Sequence, residues 1–227
     1  MPSKHSLPDG EMVRSVSAMT CGTFTTGVIR VRTEPMLRIQ GYSQLNQVHP
    51  HINEAVQRMA RRAEGLFEPG IWYRLLKLDH MEGNKLTLES GTVLQCDEFA
   101  HALIDCTAVV IFILTMGKPF DKEVQALSSD GNVFDRLFFE TAGWLGVEEA
   151  TRLFVTRLRA WAKEHGHGLT RRFAPGYGTW PLTEQQSLFS EFQEIALPVR
   201  LLESCAMVPT MSRSGMYGMR PRAGAAS

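Results

Sequence analysis

Two short segments carry the residue types and spacings that could do chemistry. The first is Thr170-Arg171-Arg172-Phe173-Ala174-Pro175-Gly176-Tyr177-Gly178-Thr179-Trp180-Pro181, with two prolines and two glycines inside seven residues. Proline fixes φ and lacks an N–H, while glycine accepts positive φ. Pro175-Gly176 therefore suits the two central positions of a type II turn. Such a stretch is stiff and exposes its backbone at close range. Just before it stands Arg172, whose guanidinium can fork onto a carboxylate with two parallel hydrogen bonds. Tyr177 offers a flat face and a hydroxyl. Together these groups suit the amino-acid end of a small ligand. They equally fit a surface turn with a solvated arginine, since most connecting segments run over the surface. The second segment, Ser212-Arg213-Ser214-Gly215-Met216-Tyr217, follows Glu203-Ser204-Cys205-Ala206-Met207-Val208-Pro209. Ser212, Ser214, Gly215 and Tyr217 read as a polar, flexible stretch able to line the site from the other side.

Other clusters are weaker. His49 and His51, and His165 and His167, lack a carboxylate or cysteine at matching spacing and border expected helix ends. A stable metal site needs three or four convergent ligands, so no metal is expected. Cys21, Cys96, Cys106 and Cys205 are scattered with no CxxC pair, and they read as reduced packing residues.

Elements that would position these segments follow from periodicity. Thr23 to Arg32 alternates as a strand. Ile52, Val56, Met59, Ala60, Ala63 and Phe67 form a helical stripe stopped by Pro69-Gly70. IWYRLLKLDH and KLTLESGTVL read as two strands joined by a turn at Met81-Glu82-Gly83-Asn84. CDEFAHALIDC reads as a short helix capped by Asp97. TAVVIFILTMG, rich in β-branched and aromatic residues, reads as a buried central strand. A long helix is expected from about Val133 to His165, with Leu137, Thr141, Trp144, Val155, Leu158 and Ala162 on one face and Gly166 as its stop. A helix near Glu184 to Ile195 and a closing strand from Leu201 to Met207 complete an α+β fold. Its sheet is mixed or antiparallel and covered by helices. Residues 1–20 and 220–227 are expected to be flexible ends around a single domain spanning 21–219.

The chain has 227 residues, 44% hydrophobic and 21% charged, with 24 basic and 24 acidic side chains. A net charge of zero gives no general attraction for nucleic acid or an anionic membrane. The longest apolar run, Thr107 to Met116, is too short to cross a bilayer, and the first residues lack the apolar stretch of a signal peptide. A cytoplasmic location is the default expectation.

R-x-A-P-G-Y followed by a further proline resembles the signature of the activation domain of cobalamin-dependent methionine synthase. The C-terminal segment resembles the family's E-S-x-A-M-x-P-x-x-S-x-S-G-x-Y pattern, in the expected order and spacing. Leu37-Arg38-Ile39-Gln40-Gly41-Tyr42 is similar to the family's stand-alone relatives. The resemblance spans about residues 23 to 218. It implies S-adenosylmethionine as ligand and cobalamin carried by a partner corrinoid methyltransferase. It also implies an electron donor such as a flavodoxin or ferredoxin. In the family, the domain presents S-adenosylmethionine to a cobalt that has slipped to the inactive cob(II) state, and methyl transfer restores methylcobalamin. A sulfonium carries its own leaving group and reduced cobalt is a strong nucleophile, so no general acid or base is required. The protein's task is binding and orientation.

By the resemblance, Arg172 matches the arginine that grips the ligand carboxylate. Ala174, Gly176 and Tyr177 match the contacts of its turn, and Tyr217 belongs to the second motif. A helix glutamate also belongs to the family's site; Glu148 is the candidate here and Glu149 the alternative register. The family's further C-terminal tyrosines are replaced by RPRAGAAS. No Asp-x-His-x-x-Gly corrinoid motif occurs, which implies that the corrinoid arrives on another protein. A non-catalytic module that binds S-adenosylmethionine or a corrinoid protein is the alternative expectation.

Overall fold

The run TAVVIFILTMG forms strand β5 (Ala108–Thr115), and all eight of its residues are buried. It is buried because both faces of the sheet are covered and both edges of the strand are paired. In the computed structural model, which describes residues 20–129 and 131–222, β5 pairs antiparallel with β2 (Gly70–Glu82) on one side and β9 (Ser212–Pro221) on the other. The seven-stranded sheet runs β4 (Val93–Gln95), β3 (Lys85–Leu88), β2, β5, β9, β6 (His167–Phe173), with β1 (Thr20–Phe24) also on β2. All its ladders are antiparallel. The fold is thus α+β, and of the two sheet types expected the antiparallel one is realised.

Helix α5 (Val133–Glu164) lies across one face, placing Val147, Ala150, Phe154, Leu158 and Ala162 against Tyr73, Val110, Phe112 and Tyr217. The opposite face is closed by α3 (Phe99–Ala102), α6 (Gln185–Ser190) and the loops beside them, through Phe99, Trp180, Leu188 and Phe192. A third core joins the first half of α5 to α1 (Thr33–Ile39), α2 (Pro50–Glu64) and α4 (Lys118–Ser129). Two different surfaces therefore bury α5, and its buried face shifts along its length. Thr141, Leu158 and Ala162 are buried as expected, whereas Leu137 and Trp144 are exposed. Among the described residues, no helix is long and apolar enough to cross a membrane.

Several expected elements fall differently. The strand expected over Thr23–Arg32 stops at Phe24, because its partner β2 begins at Gly70 and Phe24 already pairs with Ile71. Beyond it, the Val31 N–H donates to Glu64 Oε1 at 2.7 Å instead of to a ladder. KLTLESGTVL splits into β3 and β4 around a turn in which Gly91 has φ +84°. Asp97 does not cap α3; its carboxylate accepts from Asn84 Nδ2 at 2.8 Å, and Glu98 holds the N-cap position without a side-chain bond. The helix expected to Ile195 ends at Ser190. The expected closing strand is only a pair of two-residue strands, β7 (Arg200–Leu201) and β8 (Met207–Val208). Between them Cys205 takes φ +61°, and the strand that completes the sheet is β9. That strand also runs to Pro221, into the stretch expected to fray; residues 1–19 and 223–227 lie outside the described residues.

Candidate functional site

The type II turn is present. The Tyr177 N–H donates to Ala174 O at 3.1 Å, closing Ala174-Pro175-Gly176-Tyr177, and Gly176 has φ +85°. Only a residue without a Cβ holds that conformation without strain. The loop then closes on itself: Trp180 N donates to Tyr177 O at 3.2 Å, and Gly176 N to Trp180 O at 2.8 Å. The Gly176 and Tyr177 N–H groups are therefore already occupied and are not free to hold a ligand.

The base of the loop is fixed in the core. Trp180 is buried and packs edge-on against Phe99 at 5.1 Å, and Phe99 also meets Phe173 at 5.5 Å. Glu98 clamps the loop from below, pairing with Arg171 and accepting from Thr179 N at 3.3 Å. The tip is the reverse case: the Tyr177 side chain stands 69% exposed. This contrast produces a rigid pedestal with one aromatic face presented outward.

Arg172 lies next to the loop in β6, opposite Tyr217 in β9. A break in register between Leu169 and Arg172 precedes it, and Thr170 Oγ1 there accepts from Gly218 N at 2.9 Å. Bulges of this kind re-aim side chains. Beneath Arg172, a Cβ at Gly215 would sit 2.9 Å from Phe173 O and 3.3 Å from Arg172 Cγ. The glycine therefore makes room for the arginine stem.

Along β9 successive side chains alternate between faces, so Arg213, Gly215 and Tyr217 share the α5 side with Arg172. Ser212 and Ser214 turn the other way: Ser214 Oγ donates to Gln185 Oε1 at 2.8 Å, and Ser212 Oγ donates to Pro209 O at 2.7 Å. The second motif is thus a buried interior strand, not a flexible segment, and its serines do not join Arg172. Ladder pairing holds it, with β5 along Ser212–Tyr217 and with β6 at Met216 and Tyr217.

Glu148 comes from α5 to the same place. Arg213 Nη2 donates to Glu148 Oε1, and Arg213 Nη1 donates to Thr151 Oγ1 at 3.0 Å. That hydrogen bond, with the positive charges of Arg213 and Arg172, holds the Glu148 carboxyl below its ordinary value although burial opposes this. Glu149 does not reach the site; its two oxygens are held by Arg152 at 2.8 and 2.6 Å. Arg172 itself is half-buried and, among the described residues, has neither a hydrogen-bond nor an ion-pair partner. Burial first, and then the Arg213 guanidinium, lower its affinity for a proton, while Tyr217, Glu148 and Tyr177 act in the opposite sense. Burial raises the Tyr217 phenol, and Arg172 is the largest charge opposing that rise.

The site therefore holds two guanidiniums, one carboxylate and two phenols. Arg213 is matched by Glu148, leaving Arg172 as the surplus positive charge and Glu148 Oε2 as an open acceptor. This suits a ligand that carries a carboxylate beside a cationic group. Sequence reasoning missed Arg213 and Gln185. Both act across long separations, with Gln185 bridging Ser214 to the Cys205 carbonyl at 2.8 Å, and no local spacing signals such contacts. The histidines serve elsewhere. His49 Nδ1 accepts from His51 N at 3.3 Å, His165 stacks on Trp161 at 4.4 Å, and His167 Nδ1 lies 2.7 Å from His165 O. Among the described residues, no group of three or more His, Cys, Asp or Glu side chains converges.

No protein-family model matches the chain, and a search of curated proteins gave no match. Among solved structures, the chain is similar to the MetH reactivation domain bound to AdoHcy, with a TM-score of 0.65 at 15% identity over 93% of this chain and 82% of that one. This chain shares that domain's fold.

Proposed function

We propose that this protein binds S-adenosylmethionine beside Arg172 and acts as a reactivation factor for a cobalamin-loaded partner methyltransferase. The observation that carries the reading is Arg172: half-buried, aimed by a register break, unpaired, and set beside a rigid loop whose tyrosine faces outward. Support comes from the shared fold with a domain whose structure holds AdoHcy. The methionine tail of the ligand supplies the carboxylate that Arg172 lacks. Glu148 Oε2 is the open acceptor for the ammonium, and the exposed face of Tyr177 suits a sulfonium. Ala174 and Gly176 set the turn that fixes these groups, and Tyr217 closes the wall behind Arg172.

The chain's work is binding and orientation. It holds the methyl group toward a corrinoid brought by the partner, while a donor such as a flavodoxin or ferredoxin supplies the electron that makes the cobalt nucleophilic. The place of action is the cytoplasm. Calorimetry with S-adenosylmethionine should show saturable binding. Arg172→Ala should weaken it by about 30–100-fold, the value of a charged hydrogen-bonded contact. A second assay mixes the chain with cob(II)alamin-loaded partner and a reductant. Appearance of the methylcobalamin spectrum supports reactivation. A steady cob(II) spectrum despite S-adenosylmethionine binding would leave a non-catalytic binding module instead.

A further inference from the structure

The opposite end of the β6–β9 ladder carries a second concave site. A cavity of about 570 Å³ is lined there by Arg159 and Lys163 from α5, His167 and Gly168 from β6, and Arg220 and Arg222 at the end of β9. Its size falls within the range of about 300–1,000 Å³ typical of small-molecule sites. Among the described residues no carboxylate lines it, and none of its four cations, two from α5 and two at or just past the end of β9, is in an ion pair. The arrangement is held in place, since Arg222 N donates to Gly166 O at 2.8 Å and His167 pairs with Pro221.

Bare packing does not call for these charges. Arg159 and Lys163 stand one helical turn apart, a like-charge spacing that costs a few tenths of a kcal/mol. The helix dipole favours a cation in the last turn and so accounts for Lys163. It does not account for Arg220 and Arg222, which another element brings to the same cavity. An uncompensated cluster of this kind concentrates anions.

An apolar pocket of about 210 Å³ adjoins the cavity and shares His167 as a wall. Leu75, Ala108, Trp161 and Met219 line it, and the buried indole N–H of Trp161 has no partner among the described residues. A cationic cleft beside an apolar, aromatic pocket suits a molecule with a polyanionic end and a flat ring. A sulfonium ligand is repelled by four unpaired cations, so this cleft does not duplicate the Arg172 site.

We propose that this cleft binds a nucleoside polyphosphate, with its phosphates on Arg159, Lys163, Arg220 and Arg222 and its base in the pocket beside Trp161. The proposal stands independently of S-adenosylmethionine binding. Calorimetry of the full chain with ATP, inorganic pyrophosphate and adenosine tests it. ATP should bind with saturation and more tightly than either fragment. Lys163→Gln with Arg222→Gln, both exposed positions, should weaken ATP by about tenfold or more, as expected for removal of two charge-assisted contacts. Gly168→Met offers a second route, because a Cβ there meets only the Arg220 side chain at 3.9 Å. It should block ATP without removing any charge, and circular dichroism would verify that each variant is folded. Absence of ATP binding, pyrophosphate binding as tightly as ATP, or ATP binding unchanged in folded cleft variants would each overturn the proposal.

Discussion

The two ends of the β6–β9 ladder are built from the same strands against the same helix, yet they differ in how their charges are balanced. At the Arg172 end, α5 contributes Glu148, and the carboxylate engages Arg213. At the His167 end, α5 contributes Arg159 and Lys163, and the strands add only cations. The difference teaches that the residues one helix contributes set the charge balance at each end. A zwitterion with a cationic head fits the first end. A polyanion fits the second.

Perturbations of the Arg172 end should leave the cleft intact, and their sizes rank by burial. The largest effect is expected for Trp180→Ala. Its ring is 2% exposed and anchors the loop, so the change should destabilise the fold by about 3–5 kcal/mol in denaturant unfolding. Where folded protein remains, S-adenosylmethionine binding should fall while ATP binding persists. Parallel loss of both in a folded variant would break the comparison.

Gly215→Val comes next. The added side chain meets Phe173 O and the Arg172 stem, and overpacking of this kind costs about 1–3 kcal/mol. Thermal unfolding should register that cost, and calorimetry should show weakened S-adenosylmethionine binding because Arg172 is displaced.

The smallest effect concerns Glu148→Gln. The carboxylate is partly exposed, so its pair with Arg213 contributes about 0–1 kcal/mol after solvent screening. The folded protein holds Glu148 below its ordinary 4.5. Its stabilisation is therefore present above that unfolded value and is lost as pH falls through the folded one. Unfolding curves of parent and variant should differ at neutral pH and converge in acid. A gap that stays constant down to low pH would show that the ion pair is not the source. At the cleft no such convergence is expected, because among the described residues no carboxylate lines it.

Reading the sequence forward worked where the signal was local. The Pro175-Gly176 turn follows from the φ preferences of two adjacent residues, and the structure holds the turn those preferences specify. The buried status of β5 was legible because seven consecutive apolar residues, Ala108 to Leu114, leave no polar face to expose. The extent of α5 was also within one residue of its expected end. Reading failed where the answer depended on a partner. Thr23–Arg32 has strand-forming residues but lacks a strand to pair with past Phe24. Ser212 and Ser214 look like ligand contacts in one dimension, and the pleat of the strand turns both away from Arg172, Ser214 onto Gln185 of α6 and Ser212 onto the Pro209 carbonyl.

What the sequence by itself determined was the set of stiff, short-range features: the turn, the central strand, the long helix and the presence of an arginine beside a tyrosine. Those rest on torsional limits and on hydrophobic periodicity, which neighbouring residues impose alone. Only the tertiary structure decided that Glu148 and not Glu149 faces Arg172, that Arg213 is matched and Arg172 is not, and that Arg159, Lys163, Arg220 and Arg222 share one cleft. Charge pairing depends on distance in space, and the packing of α5 over β6 and β9 sets those distances from residues far apart along the chain.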